Sequence, residues 1–316
     1  MIRIKNLCKS FDGFTAVNDL SFDVNPGEVL GFLGPNGAGK STTMKMISGF
    51  IHPDSGSVEV FEYNTAAHPL EVKRQIGYLP EGAPAWGEMT TREFLEFIAD
   101  IRGLTGNEKS NRIDAVVTRL ELESVLHRPI DNLSKGFKRR VGIAQAIVHD
   151  PRVLILDEPT DGLDPNQKHQ VRELIRNLAR DKIVIVSTHI LEEVNAVCSR
   201  AVVIANGKLV ADNTPSELER RSRFHNAITV ELTDDVDFQR IVSGLPGVAS
   251  VEQDTSSPLL YTVFPENNEN LYTTVNTIAR DNEWPVVSLN VERGRLDDVF
   301  RDITRDQLDR TSEGAQ

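Results

Sequence analysis

Hydrophobic and polar positions change rhythm near residue 223. Before it, short continuous apolar runs alternate with segments of helical spacing. Val29–Leu33, Gln75–Leu79, Val153–Leu156, Ile183–Ser187 and Ala201–Ala205 read as strands, and their unbroken apolar character suits strands buried on both faces of a parallel sheet. Thr91–Arg102 and Pro165–Arg180 repeat apolar residues at helical spacing. Met1–Lys5 alternates as a strand, and Pro215–Arg223 reads as a helix ending in Arg220, Arg221 and Arg223. The pattern predicts an α/β domain over residues 1–223 with a mostly parallel sheet.

Past that point the order is strand Ala227–Leu232, helix Val236–Leu245, strands Val248–Gln253 and Leu259–Phe264, helix Asn270–Asp281, strand Val286–Val291 and a final amphipathic helix Arg295–Leu308. A β-α-β-β-α-β series predicts a small α+β domain, ferredoxin-like in layout, over residues 224–316. Charge marks the same division. The chain of 316 residues carries a net charge of −12, and residues 225–316 hold 7 Lys+Arg against 17 Asp+Glu. That acidic tail argues against nucleic acid or anionic lipid as its partner, because both need basic surface. Cys8 and Cys198 are too few for a disulfide framework or a zinc site. No apolar run is long enough to cross a bilayer and the start lacks a signal-peptide core, so a cytoplasmic location is expected.

One motif specifies a ligand. Gly34-Pro35-Asn36-Gly37-Ala38-Gly39-Lys40-Ser41-Thr42 is a complete phosphate-binding loop between a strand and a helix. Glycines 34, 37 and 39 let backbone N–H groups converge on phosphate oxygens, helped by the helix N-terminus. Lys40 suits the β- and γ-phosphates, and the Ser41 hydroxyl suits Mg²⁺. A second motif follows the strand Val153–Leu156, where Asp157 and Glu158 place adjacent carboxylates at a strand's C-terminal end. Asp157 can hold Mg²⁺, leaving Glu158 to polarise an attacking water as general base.

Between these motifs lies Asn132-Leu133-Ser134-Lys135-Gly136-Phe137, which resembles the signature motif of ATP-binding-cassette ATPases. The first two motifs then correspond to Walker A and Walker B. Asp161-Gly162-Leu163-Asp164 is similar to that family's D-loop, Ser187-Thr188-His189 to its H-loop, and Phe11 sits where the family has an aromatic that stacks on adenine. The resemblance covers residues 1–223. It implies a P-loop ATPase that binds ATP and Mg²⁺, with His189 sensing the γ-phosphate. It further implies a head-to-tail dimer with itself or a related ATPase, in which Ser134 and Gly136 of one copy meet the γ-phosphate held by Lys40 of the other, with Asp164 at the junction.

Two positions depart from the family pattern. Glu81 stands where the Q-loop has Gln, a carboxylate that can still ligate Mg²⁺. The signature reads Leu-Ser-Lys-Gly-Phe rather than Leu-Ser-Gly-Gly-Gln. Both departures, and Leu296-Asp297-Asp298-Val299-Phe300 in the tail, resemble ATPases of bacterial ABC-2 type exporters, including drug-export and gliding-motility subunits. This implies an energy-supplying subunit, peripheral on the cytoplasmic face of the inner membrane. It would drive a separate membrane permease docked near Glu81–Glu88 and Thr91–Arg102. The alternative is a non-transport ATPase acting on ribosomes or DNA.

Overall fold

The computed structural model describes residues 1–82 and 85–303, and the chain divides into two compact units, one from Met1 to Thr214 and one from Pro215 onward. The helix expected to lead out of the first domain thus falls in the second unit.

The first unit contains strands β1 (Ile2–Phe11), β2 (Phe14–Val24), β3 (Val29–Leu33), β4 (Ser55–Val60), β5 (Tyr63–Asn64), β6 (Ile76–Leu79), β7 (Val153–Asp157), β8 (Ile183–Thr188), β9 (Arg200–Ala205) and β10 (Lys208–Asn213). Its helices are α1 (Lys40–Ile47), α2 (Pro69–Gln75), α3 (Thr91–Ile101), α4 (Gly106–Arg119), α5 (Lys135–Ile147), α6 (Pro165–Leu178) and α7 (Leu191–Val197). Six strands form one sheet in the order β10-β9-β3-β8-β7-β6, parallel throughout except for the edge strand β10. β3, β7 and β8 are buried along their whole length, as strands covered on both faces require.

A second, antiparallel sheet, β2-β1-β4-β5, was not foreseen. Its inward side chains Ile2, Ile4, Leu7, Val58 and Val60 share one core with Met44 and Met46 of α1 and with Leu30, Phe32, Ile155 and Ile185 of the parallel sheet. α5 lies across the other face of that sheet. A Cβ on Gly77 of β6 would fall 2.0 Å from the Ala146 carbonyl oxygen, so glycine is what lets strand and helix approach.

Register aligns the C-terminal strand ends. Leu33 pairs with Thr188, Asp157 with Ser187 and Leu79 with Leu156. The loops after β3, β6, β7 and β8 therefore leave the sheet along one edge, where ligands bind in such sheets.

The second unit contains α8 (Pro215–Glu219), β11 (Ile228–Leu232), α9 (Phe238–Val242), β12 (Val248–Gln253), β13 (Leu260–Pro265), α10 (Tyr272–Asp281) and β14 (Val286–Val291). All neighbours in its sheet, β12-β13-β11-β14, are antiparallel. Phe238 and Val242 of α9 and Val275 of α10 join one core with Val230, Tyr261 and Val263 of the sheet, and Phe238 packs between Tyr261 and Trp284, with centroids 4.8 and 5.1 Å away.

Several predicted bounds shrink. Gln75 ends α2 instead of opening β6, and α6 stops at Leu178. α8 stops at Glu219 because tight turns follow, with Arg221 N–H donating to the Leu218 carbonyl and Ser222 N–H to that of Glu219. The last helix runs over 296–303, with Leu296 and Val299 buried; the rest of Arg295–Leu308 lies outside the described residues.

Candidate nucleotide site

Twelve residues line a cavity of about 370 Å³ at the strand-end edge, and nine of them are Asn36, Gly37, Gly39, Lys40, Ser41, Thr42, Glu81, Asp157 and Glu158. Residues from three separate strand ends thus meet in one place. The phosphate loop is built by its glycines. Gly39 has φ +103°, and a Cβ there would lie 2.3 Å from the Ala16 carbonyl oxygen, so both conformation and space demand glycine. Gly34 and Ala38 are buried, whereas Pro35, Asn36 and Gly37 are exposed. Lys40, only 7% exposed, donates from Nζ to the Gly34 carbonyl at 2.7 Å and to that of Pro35 at 3.1 Å. Burial lowers its pKa, opposed by the charges of Glu158, Asp157 and Glu81.

The Walker B end is held by Ser187. Its hydroxyl donates to Asp157 Oδ1 and accepts the Glu158 N–H at 3.2 Å. Glu158 has φ +51°, the left-handed region that a non-glycine residue enters at a cost. His189 Nδ1 lies 2.9 Å from Glu158 Oε1. Burial raises the Glu158 pKa, and the His189 contact works against that rise. The turn presenting His189 is itself fixed. Thr188 Oγ1 donates to Glu193 Oε2 at 3.0 Å and accepts the Ile190 N–H at 3.0 Å, while Thr160 donates to the other Glu193 oxygen.

Phe11, Phe14 and Ala16 complete the cavity wall. Phe11 ends β1 and pairs with Phe14 across an Asp12-Gly13 turn with φ +44° and +86°, the geometry of a two-residue hairpin. Phe14 escaped the sequence reading, although the Asp-Gly turn was its signal. Ser187, read only as part of the strand and of the motif that ends in His189, has no assigned role in the sequence, because a serine within a strand carries no distinguishing pattern.

Ser134 and Gly136 are not among the lining residues. Ser134 caps α5, its hydroxyl accepting the Phe137 N–H at 3.3 Å, and Gly136 packs against the Gln167 side chain. Asp164 caps α6 by accepting the Gln167 N–H at 2.9 Å.

The Ser41 hydroxyl and the Asp157 and Glu81 carboxylates give the cavity an all-oxygen donor set. This fits Mg²⁺, which is held by few protein oxygens together with substrate phosphates and water. No helix of the described residues is long and apolar enough to cross a membrane.

Comparison with known proteins agrees with this geometry. The ABC transporter family model matches residues 17–161. The linearmycin resistance ATP-binding protein LnrL of Bacillus subtilis is 31% identical, over 96% of this chain and 98% of that protein. A Nod factor export ATP-binding protein I of Burkholderia pseudomallei is 39% identical, over 66% of this chain and 69% of that protein. A solved ATP-binding subunit of an ABC transporter is 32% identical with a TM-score of 0.65, over 70% of this chain and 92% of that one. These likenesses favour a transporter subunit over a ribosome- or DNA-acting ATPase. The chain belongs to the ABC transporter family, as an ATP-binding ATPase subunit.

Proposed function

We propose that this subunit powers an ABC-2 type exporter, hydrolysing ATP in a head-to-tail dimer beneath a separate membrane permease. The observation that carries the dimer is the split of the motifs. Lys40, Asp157 and Glu158 share one cavity, and Ser134 and Gly136 do not line it. A second copy, or a related ATPase, supplies the missing half. Likeness to a Nod factor export ATP-binding protein supports the outward direction. Docking on the permease makes the protein peripheral on the cytoplasmic face of the inner membrane.

In this reading Phe11 stacks on the adenine. The loop from Gly34 to Thr42, through Pro35, Asn36, Gly37, Ala38 and Gly39, wraps the phosphates, and Lys40 neutralises their charge. Ser41, Asp157 and Glu81 would hold Mg²⁺, which would supply charge neutralisation to the phosphates. Glu158 accepts the proton of the attacking water, and His189 holds that carboxylate in place while contacting the γ-phosphate. Ser134, Gly136 and the N-terminal dipole of α5 meet the γ-phosphate from across the dimer, with Asp164 at the junction. The accessory domain, read from the sequence over residues 224–316, is ferredoxin-like in layout, supported among the described residues by the strand order β12-β13-β11-β14.

The test is the Glu158→Gln variant with ATP and Mg²⁺. Loss of the general base should cut phosphate release at least about 100-fold and leave ATP bound. Sedimentation should then show a dimer with ATP and a monomer with ADP. A Glu158→Gln protein that stays monomeric at saturating ATP contradicts the proposal.

A further inference from the structure

Arg139 is a buried basic residue outside the cavity lining. It lies in α5, only 5% exposed, while Lys138 and Arg140 beside it reach Asp131 and Glu121 near the surface. Its own ion pair is long, with Nη2 3.9 Å from Asp161 Oδ2. Its Nη1 is fully buried and has no hydrogen-bond partner among the described residues. A buried guanidinium with an open donor is costly unless neighbouring charge compensates it.

The helix register shows where that charge lies. Further along α5, the Gln145 side chain donates to the Tyr78 carbonyl at 2.8 Å, and the Ala146 carbonyl abuts Gly77. At its other end, Gly136 packs against Gln167 of α6 and Lys135 against Gly162 in the loop after β7. α5 therefore runs antiparallel to β6 and β7. Arg139 lies between those two contacts, its guanidinium 3.9 Å from Asp161 in the loop that follows Asp157 and Glu158. Glu81, Asp157 and Glu158 line the cavity, and Lys40 is the cation among its lining residues. Asp161, Glu158, Asp157 and Glu81 all act on the Arg139 charge, which burial otherwise disfavours.

We infer that Arg139 is a positioning residue, the buried counter-charge to Glu81, Asp157 and Glu158, without which the cavity repels nucleotide phosphates. This deepens the proposed site and rests on it. Unbalanced, three carboxylates would face the polyphosphate across one small cavity. Balanced by Arg139, they would stay together near one metal.

The test compares Arg139→Gln, Arg139→Lys and the double variant Arg139→Gln/Glu81→Gln in the full chain. The readouts are equilibrium binding of a fluorescent ATP analogue with Mg²⁺, thermal melting and steady-state ATPase. Arg139→Gln should weaken nucleotide binding about tenfold and lower the melting temperature, with the loss falling on KM more than on kcat. Arg139→Lys should keep most of the affinity. The double variant should recover both affinity and melting temperature, because it removes one charge of each sign. Recovery by the double variant carries the inference even where Arg139→Gln alone does not fold. Unchanged binding in Arg139→Gln, or a double variant no better than Arg139→Gln, overturns it. Lys40→Ala reports on the site itself: if it binds nucleotide like the parent, the site assignment fails rather than the role of Arg139.

Discussion

His189 Nδ1 stands 2.9 Å from Glu158 Oε1, a largely exposed imidazole over a carboxylate that is itself 14% exposed. The contact holds Glu158 at the mouth of the cavity, against a backbone that already sits at φ +51°. His189→Ala should lower kcat about 100-fold and change ATP affinity by less than about threefold, because in the proposed mechanism His189 acts chiefly on Glu158 in the transition state and its γ-phosphate contact is one among many. Single-turnover phosphate release with parallel nucleotide titrations separates the two effects. An equal loss in both would show that His189 mainly binds ATP.

His149 gives the first unit an acid sensitivity away from the cavity. Its Nε2 lies 3.2 Å from the Ile76 carbonyl, and Nδ1 is buried with no partner among the described residues. Burial, and then the nearby Arg102 charge, lower its pKa to about 4. The folded state therefore binds its proton less readily than the unfolded chain. The stability this contributes is complete above about pH 6.5 and is lost as pH falls toward 4, by at most about 3 kcal/mol. His149→Gln should flatten this part of the melting profile between pH 7 and 4. Parallel profiles for the two proteins would refute the assignment.

Gly77 is where β6 and α5 touch most closely. Gly77→Ala puts a Cβ 2.0 Å from the Ala146 carbonyl and 2.8 Å from Pro151 Cγ, and should destabilise by about 1–3 kcal/mol. Gly244→Ala, where a Cβ would meet only the Ile241 carbonyl at 3.6 Å, should change stability by less than about 0.5 kcal/mol. Chemical denaturation of both variants checks the contrast.

Phe11→Ala should weaken ATP binding about tenfold, since stacking a base on an aromatic ring contributes about 1–3 kcal/mol. GTP should lose affinity by a similar factor, because stacking does not read base edges. Fluorescence titration with both nucleotides decides it, and a loss confined to ATP would point to hydrogen-bond readout instead.

Ser134→Ala should have two separable effects. Loss of the α5 cap should cost about 1 kcal/mol in thermal or chemical unfolding. ATP-dependent dimerisation of the Glu158→Gln protein should weaken by more than that stability change explains. A dimer unaffected by Ser134→Ala would remove Ser134 from the interface.

The site's main parts were legible because each follows an apolar strand. Lys40 comes after Val29–Leu33, Asp157 and Glu158 close Val153–Leu156, and His189 follows Ile183–Ser187. Parallel register then brings them to one edge without further information. The antiparallel sheet was hidden because the alternation read over Met1–Lys5 does not continue along β1: Asn6 has φ +47°, and the register shifts between Ile4 and Leu7 and again before Lys9. α4 was missed because only Ile113, Val116 and Val117 of its fourteen residues are buried. Arg139 was hidden in Lys138-Arg139-Arg140, which reads as a solvated basic face until the structure turns its middle member inward.

The capped end of α5 and its contact with Gly77 have a mechanical consequence. Thirteen helical residues make a stiff rod about 20 Å long, pinned near one end against β6 and carrying Ser134 at the other, where its neighbours are the side chain of Gln167 and Gly162. A tilt of about 5° at the pin sweeps the Ser134 tip through roughly 1.6 Å, comparable to the difference between a formed and a broken hydrogen bond. In the proposed dimer the strand that leads to Glu81 and the tip that carries Ser134 would thus be coupled through one rod, so that a small push on the first would make or break the contact made by the second.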